Sequence, residues 1–126
     1  AWMKNKNPDA AIMFGGASIG ANETIKILAN HSEIEKGFAL SAGLDYYGVR
    51  AIDDVSKLAL EQKLLLVGSY DDGRKSGDNC GKMAETLFDR ATCRKEKIIY
   101  NTGGHGTNLF ETHPELIEKL VEFLKG

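Results

Sequence analysis

Ala10-Ala11-Ile12-Met13-Phe14-Gly15-Gly16-Ala17-Ser18-Ile19-Gly20-Ala21 is the stretch on which the reading of the fold turns. Its first part, Ala10 to Phe14, is a continuous apolar run, which suits a parallel strand buried on both faces rather than a strand with one wet side. Gly15-Gly16 closes the run. Ala21, Ile25, Leu28 and Ala29 then recur at helical spacing, with Asn30 as the stop. A buried strand therefore passes through a glycine-rich turn into an amphipathic helix.

The same alternation continues along the chain. Gly37 to Ala42 reads as a second strand closed by Gly43, and Ala51, Val55, Leu58 and Ala59 mark a helix. Leu64 to Val67 makes a third strand ended by Gly68, and Met83, Leu87, Phe88 and Ala91 give the next helical face. Lys97 to Tyr100 is a fourth strand, broken by Thr102-Gly103-Gly104, while Arg94 to Lys97 reads as a solvated approach to it. In the last element Leu116, Ile117, Leu120, Val121 and Leu124 form one stripe, Thr112 with Glu115 reads as a capping box around Pro114, and Gly126 ends the helix. Apolar strands separated by helices predict an α/β fold: a parallel, doubly wound sheet of about four strands with flanking helices.

The composition agrees with this reading and removes several function classes. The 126 residues are 42% hydrophobic and 27% charged, enough for one domain, residues 1–126, and unlike a disordered, collagen-like or disulfide-dense chain. A net charge of −2, without a basic excess in either half, argues against a nucleic-acid partner. No apolar run reaches membrane-span length, and the opening Ala-Trp-Met-Lys-Asn-Lys-Asn lacks the apolar core of a signal peptide, so a soluble, cytoplasmic protein is the default expectation. Cys80 and Cys93 flank a helix and read as free thiols without redox, metal or nucleophile spacing. The chain starts at Ala1 with what looks like the tail of a helix, joined by residues 5–9 to the first strand, so a piece of a longer protein is expected.

In a parallel sheet of this kind, functional groups gather at the loops that follow the strands' C-terminal ends. The first exit carries Gly16-Ala17-Ser18-Ile19-Gly20, a G-x-S-x-G between strand and helix. Such a turn forces the serine into a strained conformation with its Oγ above the sheet, and the helix N-terminus behind it, with the Ile19 N–H, is placed to stabilise an oxyanion. Taken alone, the pentapeptide is also compatible with a tight packing turn. It lacks the glycine spacing of a dinucleotide fingerprint and the lysine of a phosphate loop, which counts against a nucleotide-binding half. The third exit supplies Gly68-Ser69-Tyr70-Asp71-Asp72 and the fourth Gly103-Gly104-His105-Gly106-Thr107, so Ser, Asp and His follow in chain order, each just past a strand.

Phe14 to Asn22, Leu40 to Tyr46, Leu64 to Asp71 and Tyr100 to Thr107 together resemble the C-terminal half of the α/β-hydrolase superfamily, from the nucleophile elbow onward. The small bacterial esterase-like and dienelactone-hydrolase-like members are the most similar in pattern. The resemblance implies a serine hydrolase acting on an ester or related acyl compound through an acyl-serine intermediate. It implies Ser18 as nucleophile, His105 as general base and Asp71 as the orienting acid, with Asp45 and Asp72 as alternatives for the acid. Ile19 would line the oxyanion hole, and Ala17, Asp45 and Tyr46 the substrate pocket, with Tyr47 lining the pocket or covering the core. No cofactor is implied. The three histidines show no ligand spacing for zinc, and His31 and His113 read as solvated or capping residues.

Members of that superfamily carry about as much chain again before the elbow, including the second oxyanion donor. The resemblance therefore implies impaired activity in this truncated chain. It also implies that the strand Ala10 to Phe14 is left as an open edge, paired either with the missing half or with a second copy in an isologous homodimer. The alternative reading is a non-catalytic binding or interaction module derived from a hydrolase.

Overall fold

The computed structural model describes residues 12–73 and 77–125. Its elements are β1 (Met13–Ala17), α1 (Ile19–Asn30), β2 (Lys36–Leu40), α2 (Ala51–Asp54, continued by a 3₁₀ turn, Val55–Lys57) and β3 (Lys63–Ser69). They are followed by α3 (Cys80–Arg90), β4 (Arg94–Tyr100), α4 (Asn108–Thr112) and α5 (Glu115–Lys125). The four strands form one parallel sheet in the order β1-β2-β3-β4, with Gly16 beside Ala39 and Ala39 beside Leu66. This is the predicted α/β class.

Strand alternation sends successive side chains to opposite faces, and each face is covered by its own helices. On one face Ala39, Leu64 and Leu66 pack with Ile25 and Leu28 of α1, Ala51 of α2 and Leu87 of α3. On the other, Leu40, Leu65 and Val67 meet Leu109 of α4 and Leu116, Leu120 and Phe123 of α5. Buried Gln62 closes the first layer from below: its Nε2 donates to the carbonyls of Leu28, His31 and Ile34, tying the end of α1 to the start of β3.

Several boundaries differ from the sequence reading, each for a local reason. β1 runs through Gly15 and Gly16 instead of stopping before them, while Ala10, Ala11 and the opening residues lie outside the described residues. A Cβ on Gly15 would stand 2.1 Å from the Phe38 ring, and one on Gly16 would stand 2.4 Å from the Gly20 carbonyl oxygen. These glycines permit close approach inside a strand rather than terminating it. Gly68 is likewise internal to β3, 2.5 Å from the Cys80 carbonyl oxygen if given a Cβ. β2 ends earlier than expected, at Leu40, because Ser41 turns to φ 58°.

The run Arg94 to Lys97 is strand, not approach. It forms the outer edge, with Lys63 and Glu96 paired at 2.9 Å, and charge on an edge strand discourages further pairing. On α5 the buried side is Leu116, Leu120 and Phe123, leaving Ile117 and Val121 exposed. Thr112 forms no capping box. It ends α4, donating its Oγ1 to the Asn108 carbonyl at 3.2 Å, because the turn at His113 and Pro114 separates two helices where one was expected. Among the described residues no helix is long and apolar enough to cross a membrane.

Candidate functional site

Ser18 sits between β1 and α1 with φ 60° and ψ −122°, one of three non-glycine residues with positive φ among those described. Such a conformation costs on the order of 1–3 kcal/mol and persists only where the surroundings impose it. Here they do. The Ser18 N–H is held by the Leu40 carbonyl at 2.9 Å, its own carbonyl accepts from the Ala21 N–H at 3.0 Å, and Gly16 lets the Gly20 carbonyl pass directly behind. Gly20 itself has open space where a Cβ would be, so the second glycine of the motif is not sterically required.

The strain leaves the Ser18 side chain facing the loop after β4. Its Oγ stands 2.8 Å from His105 Nε2, and His105 Nδ1 stands 2.6 Å from an Asp72 oxygen. The carboxylate that meets the histidine is therefore that of Asp72, not Asp71. The chain turns between Ser69 and Asp72, whose N–H donates to the Ser69 carbonyl at 3.2 Å, and this swings the second aspartate inward, where it is 8% exposed. Asp71 points to the same loop for another purpose. It accepts from the N–H groups of Gly103 at 3.2 Å and Gly104 at 3.0 Å and from the Ser69 hydroxyl. The Ser69 hydroxyl above all, and then the Gly104 N–H, hold the Asp71 carboxyl below the usual carboxylate range.

Three glycines of the histidine loop take positive φ, a conformation that favours glycine: Gly103 at 150°, Gly104 at 77° and Gly106 at 59°, the last two flanking His105. The loop is pinned on its far side by buried Ser41, whose Oγ accepts from the Gly106 N–H at 2.8 Å. Ser41 is a functional candidate that the spacing of motifs does not reveal.

Tyr46 reaches the site and Asp45 does not. The Tyr46 hydroxyl lies 3.1 Å from Ser18 Oγ. It is presented by a tight turn in which Tyr46 and Val49 exchange backbone hydrogen bonds across Tyr47 (φ 51°) and Gly48 (φ 87°). Buried Asn22 of α1 fixes that turn, donating to the Gly43 and Val49 carbonyls at 2.9 and 3.0 Å. Asp45 instead accepts from the Gly48 N–H and pairs with Arg50 at 3.3 Å on the exposed side. Tyr47 is 89% exposed, so it covers no core. Ala17 ends β1 and packs with the α4–α5 layer beside Gly106. Ile19 opens α1, where the first backbone N–H groups of a helix have no intrahelical acceptor.

His31 is a surface residue 3.6 Å from Glu33. His113 caps the end of α4, its N–H donating to the Leu109 carbonyl at 2.8 Å, while its ring stacks on Tyr100 at 3.7 Å between centroids and bonds the Thr102 carbonyl. Neither cysteine is in a disulfide, and both are buried. Cys80, which the sequence separates from any histidine, comes close to His105 and Asp72 in space. Two clefts of about 440 and 500 Å³ lie towards the strand starts, against α5, away from Ser18.

A four-stranded parallel sheet with helices on both faces matches an α/β-hydrolase-like fold, and solved structures share that fold. The chain matches an esterase of Pyrococcus furiosus with a TM-score of 0.76 at 19% identity, over 98% of this chain and 57% of the esterase. It matches the esterase domain of a Rhodothermus marinus protein at 0.62 and 15% identity, covering 82% of this chain and 55% of that one. An acylaminoacyl peptidase of Pyrococcus horikoshii gives 0.66 at 16% identity, covering 96% of this chain and 26% of the peptidase. The chain thus spans a little over half the length of these esterases. No protein-family model matches it, and no curated protein matches it by sequence.

Proposed function

We propose that the protein is a serine hydrolase that cleaves an ester or related acyl compound through an acyl-Ser18 intermediate. The carrying observation is the unbroken line of hydrogen bonds Ser18–His105–Asp72, at 2.8 and 2.6 Å, starting from a strained strand-to-helix turn. In this reading Ser18 Oγ attacks the acyl carbon while His105 Nε2 takes its proton. Asp72, accepting from Nδ1–H, fixes the tautomer that leaves Nε2 free to do so. Negative charge developing on the carbonyl oxygen is met by the Ile19 N–H at the positive end of α1. His105 then returns the proton to the leaving alcohol, and water repeats the sequence to release the acid.

The rest of a parent protein would supply a second oxyanion donor and a wall of the substrate pocket. Loss of one such donor typically costs about 10²–10³ in rate, so this chain alone should turn over slowly. Covalent capture does not need fast turnover. A fluorophosphonate probe should add one adduct, mapped to Ser18 by mass spectrometry, in the full-length protein; failure to label there would sink the proposal and favour the non-catalytic module.

The outer edge of β1 belongs to the same reading. Met13 and Phe14 are 42% and 40% exposed on that edge, whereas the opposite edge strand is lined with charge. We propose that β1 pairs with a further strand, from the remaining half of a parent chain or from a second copy. Light scattering on this chain checks it: a monomer at micromolar concentration, with the full-length protein also lacking a strand there, would refute both forms.

A further inference from the structure

We propose that Asp72, Cys80 and His105 form a binding site for a borderline-soft divalent cation, Zn²⁺ or Cd²⁺, and that its occupancy disables the histidine. A carboxylate oxygen of Asp72, Sγ of Cys80 and a ring nitrogen of His105 all lie within 4.8 Å of one another. Ligand atoms on a tetrahedral zinc ion, bonded at about 2.0–2.3 Å, stand about 3.3–3.7 Å apart, so a modest rearrangement suffices. Oxygen, sulfur and imidazole nitrogen are the donor set such ions select over magnesium or calcium.

Two of the three ligands are tied to each other through the backbone. The Cys80 N–H donates to the Asp72 carbonyl at 3.0 Å, and their neighbours Gly73 and Asn79 form an antiparallel bridge. Gly68 and Gly81 let the start of α3 lie directly against β3. Cys80 is the first residue of that helix of 11 residues, where the dipole favours a thiolate. Charge also balances. Carboxylate, thiolate and neutral imidazole around a dication sum to zero, which matters where Cys80 is 0% and Asp72 8% exposed. The His105 side chain, 36% exposed, gives the ion a way in.

Binding involves no redox change. The thiol proton leaves to solvent. The cation takes Nδ1, the nitrogen that faces Asp72, so the imidazole proton moves to Nε2. An Nε2–H pointing at Ser18 Oγ can donate but cannot accept, and the serine can no longer be deprotonated there. Inhibition rests on the hydrolase reading; binding does not.

The test is a Cd²⁺ titration of the chain carrying Cys93→Ala, so that Cys80 is its only thiol, following the thiolate-to-cadmium charge-transfer band. One equivalent should saturate it, and His105→Ala or Asp72→Ala should each weaken binding more than about 100-fold, beyond what loss of an outer-shell contact costs. In the full-length protein, Zn²⁺ should block fluorophosphonate labelling of Ser18 and a chelator should restore it. No band, or a band of undiminished affinity after loss of His105 and Asp72, overturns the site. A band as expected, in a protein whose Ser18 never labels even without metal, keeps the site and discards the hydrolase reading.

Discussion

The exits of β1 and β3 each deliver one polar side chain to the same imidazole, by opposite means. At β1 the backbone is strained: Ser18 occupies φ 60° and ψ −122°, and the space behind it exists only because Gly16 has no Cβ. At β3 the backbone relaxes into a hydrogen-bonded turn, and two successive carboxylates leave it in different directions. Asp72 goes inward to His105 Nδ1, and Asp71 stays outside, gathering the N–H groups of Gly103 and Gly104. A strained turn imposes its residue types, whereas a relaxed turn accepts the same residue twice and assigns the two copies different work.

Substitutions at the two exits test this contrast. The largest expected effect is at the strained exit. On the proposed reading, Ser18→Ala in the full-length protein should lower kcat for a short-chain nitrophenyl ester by about 10⁶, since loss of a nucleophile from a catalytic triad costs as much as loss of the whole unit. Next come the neighbours at the relaxed exit, read as a pair. Asp72→Asn should cost about 10⁴ in kcat by leaving the histidine in the wrong tautomer. Asp71→Asn should cost no more than about tenfold, the worth of a hydrogen bond or two to a positioning loop. If the two losses came out in the reverse order, the assignment of the acid to Asp72 would be wrong. Smaller still, Tyr46→Phe removes the hydroxyl 3.1 Å from Ser18 Oγ and should lower kcat/KM about five- to tenfold. Unchanged kinetics would make that contact incidental.

The same contrast explains what could be read from the residues. The strand-helix alternation, the sheet type and the positions of Ser18 and His105 are legible because they depend on runs of apolar residues and on glycines whose places are sterically imposed. Choosing between Asp71 and Asp72 depends on which way a turn rolls, and neither residue type nor spacing records that. Ser41 and Asn22 are hidden for a related reason. Each acts through a contact far along the chain, Ser41 with Gly106 and Asn22 with Gly43 and Val49, and as isolated polar residues they carry no pattern. Cys80 and His105 are separated by the whole of α3 and β4, so their proximity is a product of parallel topology, which stacks successive strand exits at one end.

The smallest expected effect tests the second role at the β3 exit, and its sign follows from proton linkage. The Ser69 hydroxyl and the Gly104 N–H lower the folded-state pKa of Asp71. Near that range the unfolded chain binds the proton more readily than the folded one, so the stabilising contribution is complete above the unfolded carboxylate value of about 3.9 and is lost as pH falls through the lower folded value. Because the carboxylate is exposed, the contribution is small. Thermal melts of the wild-type chain and Asp71→Asn should show a modestly lower Tm for the variant at pH 7, and the gap should narrow as pH falls below the unfolded carboxylate value. A gap that persists undiminished in acid would mean that Asp71 braces the histidine loop through its shape and not its charge. The division of labour between the two aspartates would then have to be drawn from Asp72 alone.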